Sequence, residues 1–136
     1  MFTFNDSNME YFKAITVLFT WVLFIIAMVY YNFILIRLNF IVNHMKNAII
    51  TSVLSLALSF LIYSNFINFI FTSLTLLFIY WIFFDIGLNL KRGLPTSYIG
   101  RKSKLDIFLR KYAYGYNITF KVTAFILISI IYGLIR

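Results

Sequence analysis

Long runs of apolar residues, separated by short polar connections, dominate the chain from Ala14 onward. Residues 14–36 carry no charged side chain, and neither do residues 47–84. A bilayer core about 30 Å thick is crossed by roughly 20 residues of α-helix at about 1.5 Å per residue. The first apolar run therefore predicts one membrane span over residues 14–36.

The apolar block that follows is too long for one span and suits two. It is interrupted at residues 64–68, which read Ser-Asn-Phe-Ile-Asn. Asn disfavours helix interiors and favours turns, so we expect the chain to reverse there. The pattern predicts a tight helical hairpin with spans at 48–64 and 68–90.

The last apolar run predicts a fourth span at residues 116–135. It contains one charge, Lys121. A Lys near a helix end can extend its ammonium group toward the membrane surface, so this charge is compatible with a span.

A basic connection, residues 91–115, separates the third and fourth spans. Gly93 and Pro95 stop the preceding helix, and Ser103 with Asp106 resembles a capping box that starts another. Apolar residues then recur at i, i+3, i+4 and i+7, which predicts a short amphipathic helix in the headgroup region; a helix packed on a protein partner is the alternative. These residues are Leu105, Phe108, Leu109 and Tyr112.

Composition agrees with a membrane location. The chain is 62% hydrophobic, and a water-soluble protein of 136 residues has no core large enough to bury that much apolar surface. The sequence predicts one membrane domain, residues 1–136, with an all-α fold. It is a polytopic bundle of four transmembrane helices and one short interfacial amphipathic helix.

The net charge of +8 is concentrated in one connection, and this predicts the orientation. Arg37 and Lys46 lie on the same side of a four-span chain as the basic connection. The positive-inside rule places that side in the cytoplasm and both termini opposite. Anionic headgroups are the expected partner of the basic segment, with nucleic acid as the alternative. The interfacial basic segment consists of Lys91, Arg92, Arg101, Lys102, Lys104, Arg110 and Lys111.

Asp85 is the acid that enters the membrane. Asp85, Asn89 and Arg92 fall at i, i+4 and i+7, which forms one polar stripe at the end of span three. Lys121 enters the next span from the same side, and consecutive spans tend to pack as neighbours. We expect Asp85 to form an intramembrane ion pair with Lys121, Arg92 or both. An ion or proton site at Asp85 is the alternative.

Small residues recur on span two at i, i+4, i+7 and i+11. Ala48, Ser52, Ser55 and Ser59 form this seam, which permits close helix approach in a bilayer. Packing within the chain is one interpretation, self-association is a second, and a hydroxyl-lined pore is a third.

The inventory for catalysis is thin. The chain has four carboxylates, one His and no Cys, and no two acids are spaced to share a metal ion. His44 has no acid near it in sequence, and Asp6 and Glu10 are expected to lie on a flexible arm before the first span. We therefore predict no enzymatic activity, no cofactor and no metal site.

Residues 85–106 resemble a local pattern, D-x3-N-x2-R-G followed by Y-x-G and S-x2-D. The matching residues are Asp85, Asn89, Arg92, Gly93, Tyr98, Gly100, Ser103 and Asp106. The pattern is similar to that of small uncharacterised multi-span membrane proteins of AT-rich Gram-negative bacteria and their bacteriophages. The resemblance implies a phage or prophage setting, in which the helix ends after Arg92, the glycines turn the chain and Ser103 starts the next helix.

Three functions remain open at this point. The first is a structural or assembly component of a bacterial inner membrane or a virion internal membrane, in contact with coat protein or packaged nucleic acid. The second is a holin-like pore former that oligomerises, although its basic segment is internal where holins have a basic tail. The third is a small transporter or channel subunit that uses Asp85.

Overall fold

A computed structural model describes the backbone of residues 6–40, 42–63, 65–99, 104–113 and 116–135, and their side chains except at 6, 7, 44, 104–106, 109 and 113. These residues form five α-helices. They are α1 (Asp6–Arg37), α2 (His44–Ile62), α3 (Phe66–Lys91), α4 (Lys104–Ala113) and α5 (Asn117–Ile135).

Four of these helices, α1, α2, α3 and α5, are long and apolar enough to cross a bilayer. The prediction of an all-α bundle with four spans and one short extra helix is therefore confirmed, and the chain is a small integral membrane protein. Consecutive spans alternate in direction, so residues 37–40, 42–47, 91–99 and 104–113 lie at the same end of the bundle. We call this the basic end.

Helix α1 begins earlier than its predicted span. It starts at Asp6 and has 32 residues, about 48 Å at roughly 1.5 Å per residue, which exceeds the bilayer core. The sequence interpretation of Asp6 and Glu10 as part of a flexible arm was wrong. Residues 6–13 contain no Gly or Pro to stop a helix, and acidic side chains in the first turns suit the helix dipole.

Helix α2 ends at Ile62 and α3 begins at Phe66, so the connection of the hairpin starts earlier than the predicted break at 64–68, whose last three residues are already helical. Asn65 caps α3, because its Oδ1 accepts a hydrogen bond from the Ile67 backbone N–H at 2.9 Å. Asn43 does the same for α2 by accepting from the Lys46 N–H at 2.9 Å. Asn thus starts both helices of the hairpin.

Two left-handed residues end the helices at the basic end. Asn39 (φ 60°) follows α1 and Gly93 (φ 66°) follows α3. After Gly93 the Leu94 N–H donates to the Asn89 carbonyl at 2.9 Å, and the Gly93 N–H donates to the Leu90 carbonyl at 3.1 Å. This is a Schellman motif, which terminates the helix as Gly93 predicted.

Helix α3 occupies the centre of the bundle. It packs against α1, α2 and α5, whereas α5 packs only against α3 and α4 within the described part of the chain. Aromatic rings fill the contact of α1 with α3, where the indole N–H of Trp21 donates to the Leu76 carbonyl at 2.9 Å. The core thus lies among α1, α2 and α3, and α5 is attached to one side of it.

Candidate functional site

The two charges predicted to enter the bilayer meet each other. Lys121 Nζ of α5 forms a salt bridge with the Asp85 carboxylate of α3. The Lys121 side chain is 1% exposed and that of Asp85 is 33% exposed. Lys121 is therefore a cation enclosed by protein, whereas Asp85 reaches the surface of the bundle.

An aromatic ring completes the surroundings of Lys121. Its ammonium group lies 4.6 Å from the centre of the Trp81 ring, one turn before Asp85 on α3. A cation over an indole face is stabilised by the ring quadrupole, more strongly when water is excluded. Lys121 is thus held by one acid and one aromatic face, both supplied by α3.

Asn89 of the predicted polar stripe has a different partner. Its amide group donates to the carbonyls of Thr96 and Tyr98, at 3.2 and 2.9 Å. It is buried, and it holds the loop that follows α3 against the helix end. The stripe is therefore divided: Asp85 joins α3 to α5, whereas Asn89 shapes the loop.

Arg92, the third member of the stripe, lies exposed at the C-cap of α3. Its guanidinium group lies 5.7 Å from the centre of the Tyr98 ring. Of the two basic partners proposed for Asp85, the structure places Lys121 in the salt bridge and Arg92 beside Tyr98. Lys91 reaches α1, where its Nζ donates to the Tyr30 hydroxyl at 2.7 Å.

A buried amide lies one turn before Lys121. Asn117 is 1% exposed, and its Oδ1 atom has no hydrogen-bond partner among the described residues.

The far end of α5 is attached to α3 by a second polar contact besides the salt bridge of Lys121, because the Tyr132 hydroxyl donates to Asn68 Oδ1 of α3 at 2.8 Å. Polar contacts thus hold α5 to α3 near both ends.

The small-residue seam of α2 is displaced by part of a turn from its predicted position. Ser55 and Ser59 are fully buried, but Ala48 is exposed and Ser52 is half-buried. Asn47 and Thr51 occupy the inward positions in their place. The buried positions of α2 therefore follow a spacing of i, i+4, i+8 and i+12. Asn47 takes the first of these positions because its amide has a hydrogen-bond partner on α1, which makes its burial favourable.

That partner is Asn32, which is fully buried in α1. The Asn47 amide donates to Asn32 Oδ1 at 2.7 Å, and the Asn32 amide donates to the Met28 carbonyl at 2.8 Å. This pair joins α1 to α2 near the basic end. A hydrogen bond between helices in a membrane contributes about 0.6 kcal/mol on average and up to about 1.7 kcal/mol.

The seam hydroxyls donate to their own helix. Thr51 donates to the Asn47 carbonyl at 2.8 Å, and Ser59 donates to the Ser55 carbonyl at 2.7 Å. The buried Tyr80 hydroxyl lies beside Thr51, but no described atom is placed for a regular hydrogen bond with it. The seam is a packed helix contact within the chain, and its geometry differs from that of an open hydroxyl-lined pore.

The basic segment is described only in part. Arg101 and Lys102 lie outside the described residues, as do Gly100, Ser103 and the side chains of Lys104 and Asp106. Helix α4 is present, with Phe108 and Tyr112 exposed and their ring centres 4.8 Å apart. These two rings of the predicted apolar face are thus open to lipid or to a partner. Arg110 is half-buried and Lys111 is exposed on the same helix.

Sequence reasoning missed three polar contacts, those of Asn32 with Asn47, Asn68 with Tyr132, and Lys91 with Tyr30. Asn within an apolar run was a usable signal, because an amide in a membrane helix requires a partner. The sequence did not show which residue each Asn pairs with, because that depends on how each helix is rotated about its axis.

No protein-family model, curated protein or solved structure matches this chain. The resemblance to small membrane proteins of bacteria and bacteriophages therefore stays a prediction. The side chain of His44 lies outside the described residues. Among the residues that are described, no group of three or more His, Asp or Glu could hold a metal ion.

Proposed function

We propose that this protein is a non-enzymatic structural or assembly component of a membrane. The observation that carries the proposal is the salt bridge of Asp85 with Lys121, which uses the two intramembrane charges to attach α5 to the α1–α3 core. A salt bridge whose cation is enclosed by protein favours one helix arrangement. The most concrete setting is the lipid layer of a virion, which the resemblance of residues 85–106 supports.

The basic end is the part of this protein that would meet a partner outside the bilayer. The positive-inside rule supports a cytoplasmic location for it, or the equivalent face of a virion membrane. Lys111 and the exposed rings of Phe108 and Tyr112 on α4 lie there. Coat protein, anionic headgroups or packaged nucleic acid would bind at this end.

A holin-like pore is the second proposal, and burial of the seam of α2 limits which surface such a pore could use to oligomerise. Self-association through Ser55 and Ser59 requires that face to be open, but the chain's own helices cover both residues. A holin would therefore have to use the outer face of α5, which contacts only α3 and α4 among the described residues.

A small transporter or channel subunit is the third proposal. Asp85 would be its site, because its side chain is one-third exposed and lies next to a buried ammonium group. Movement of a proton or cation through this site requires Lys121 to leave the carboxylate, which would strand a cation 1% exposed. This cost favours the structural role.

Ion flux in liposomes separates these proposals. The purified full-length chain is reconstituted with an internal pH-sensitive dye, and a membrane potential drives proton entry. The structural role predicts no flux above empty liposomes. Flux that disappears in Asp85→Asn, but persists in the exposed-residue control Glu10→Gln, would overturn it and support transport.

Expression in bacteria separates the structural role from a holin. A holin halts growth abruptly and releases a co-expressed muralytic enzyme, whereas a structural protein accumulates in the membrane without release. Co-purification of the tagged chain with virus particles supports the virion setting. Release of the enzyme would overturn the structural role.

A further inference from the structure

A groove between α1 and α3 is open to the outer surface of the bundle. Its volume is about 750 Å³, within the range of about 300–1,000 Å³ typical of ligand sites. Its apolar walls include Leu18, Val22, Ile26, Ile79, Phe83 and Gly87. Neither the salt bridge nor the seam of α2 uses this face.

One end of the groove is polar. Lys91 and Tyr30 line it there, and the Lys91 ammonium donates to the Tyr30 hydroxyl at 2.7 Å. Tyr30 accepts one of the three N–H donors of the ammonium group, so the others are available to an anion. The groove therefore combines an apolar channel with a cation at its mouth, at the basic end.

The length of the groove matches one leaflet. From Ile79 to Lys91 the helix rises about 18 Å at roughly 1.5 Å per residue, and half of a bilayer core is about 15 Å. A transmembrane helix of another protein would need a groove across both leaflets. An acyl chain that enters from the headgroup level needs one leaflet only.

We propose that this groove binds an anionic phospholipid of the leaflet at the basic end, with one acyl chain along the groove and the phosphate at Lys91. A charged donor to a phosphate oxygen makes the stronger class of hydrogen bond, and the apolar walls match the chain. The floor is closed, because α1 and α3 approach so closely that a Cβ on Gly87 would lie 3.0 Å from Val29 Cγ2. The site depends on membrane insertion and on none of the functions proposed above.

Photolabelling tests this site. The full-length chain is reconstituted in phosphatidylcholine vesicles that contain phosphatidylglycerol with a diazirine in one acyl chain, and labelled residues are identified by mass spectrometry. Labelling is expected to concentrate on Val22, Ile26 and Phe83. Excess unlabelled phosphatidylglycerol should remove it, which tests the native chain without any substitution.

Two matched pairs of variants sharpen the test. Ile26→Trp fills the groove and should abolish the labelling, whereas Leu23→Trp, at a similarly exposed position of α1 outside the groove, should leave it unchanged. Lys91→Gln should weaken phosphatidylglycerol competition by about tenfold or more, the loss of one charge-assisted hydrogen bond. Lys111→Gln removes a charge from α4 at the same end and should have no such effect.

Three results would overturn the proposal. Equal labelling of Leu23 and Ile26 would show lipid contact without a site. Unchanged labelling in Ile26→Trp, with size-exclusion chromatography showing an intact chain, would place the lipid elsewhere. Cross-links between groove residues of two chains, with a dimer in detergent, would assign the groove to a second copy.

Discussion

Lys121 is enclosed by the protein, whereas its salt-bridge partner Asp85 keeps one-third of its side chain exposed. The two residues of the salt bridge therefore differ in burial. Loss of Asp85 leaves a buried cation beside Trp81, but loss of Lys121 leaves a carboxylate that reaches the surface of the bundle. Removal of one partner of a buried pair is costly because the other charge remains.

The first prediction is that Asp85→Leu destabilises the protein more than Lys121→Leu. The expected loss for Asp85→Leu is about 3 kcal/mol, at the low end for a broken buried pair because Asp85 is part-exposed. Thermal unfolding in detergent, followed by size-exclusion chromatography, measures both variants. Asp85→Lys should lose folded protein, and Lys121→Asp in the same chain should restore part of it. Failure of this exchange would contradict a stabilising pair.

The second prediction concerns the amides of Asn32 and Asn47. Asn47→Leu removes the hydrogen bond between α1 and α2 and leaves Asn32 Oδ1 without its donor, which should cost about 1 kcal/mol. Ala48→Leu, on the exposed neighbouring position, should be neutral. A double-mutant cycle with Asn32→Leu gives the coupling energy. Additive effects of the two Asn substitutions would show that the pair contributes nothing.

The third prediction compares two glycines in membrane helices. A Cβ on Gly87 would press on Val29, whereas one on Gly133 of α5 would meet nothing within 4 Å. Gly133→Ala should stabilise its helix by up to about 1 kcal/mol, but Gly87→Ala should lose that gain to overpacking of about 1–3 kcal/mol. In a chain that already carries Val29→Ala, the substitution Gly87→Ala should cost less stability than it does in the parent chain. The same thermal unfolding assay measures the parent chain, the three single variants and the double variant, and identical responses at the two glycines would refute the close approach.

The fourth prediction concerns the far end of α5. Tyr132→Phe removes the hydrogen bond to Asn68 and keeps the ring that packs on Phe71 at 4.7 Å. The expected loss is about 0.6–1.7 kcal/mol. Protease sensitivity of the α4–α5 connection should rise, because α5 is attached mainly to α3. Tyr31→Phe, an exposed tyrosine of α1, is the control and should change neither quantity.

The fifth prediction tests the orientation of the bundle. The chain has no Cys, so single cysteines report their own position. Glu10→Cys should react with an impermeant maleimide in intact bacteria after outer-membrane permeabilisation, whereas Lys46→Cys and Lys111→Cys should react only after lysis. The reverse pattern would place the basic end outside the cytoplasm.

The architecture was predictable because span length and charge placement depend on the chain itself. The apolar runs led directly to four helices, and Asn65 marked the tight hairpin, whereas Asn68 of the predicted break lies within α3. Asp85 and Lys121 were readable as a pair because they enter consecutive spans from the same end. These features need no knowledge of how the helices are rotated.

The rotation of each helix about its own axis could not be predicted from the sequence. A helix turns by about 100° per residue, so a seam assigned from Ala48 rather than Asn47 points to a different neighbour. The choice depends on Asn32, which lies on another helix. The early start of α1 was also missed, because residues 6–13 are too polar to signal a span yet continue its helix.

The position of α3 has a consequence for biogenesis. The ribosome delivers α1, α2 and α3 before α5, so the core can assemble while Asp85 still lacks Lys121. A chain interrupted after residue 113 would therefore hold Asp85 at the side of the three-helix core without its salt bridge to α5. Membrane proteases and insertion factors that sense polar groups in lipid would meet different surfaces of α3 in this intermediate and in the five-helix chain. Insertion of α5 would end that difference, because Lys121 then binds Asp85.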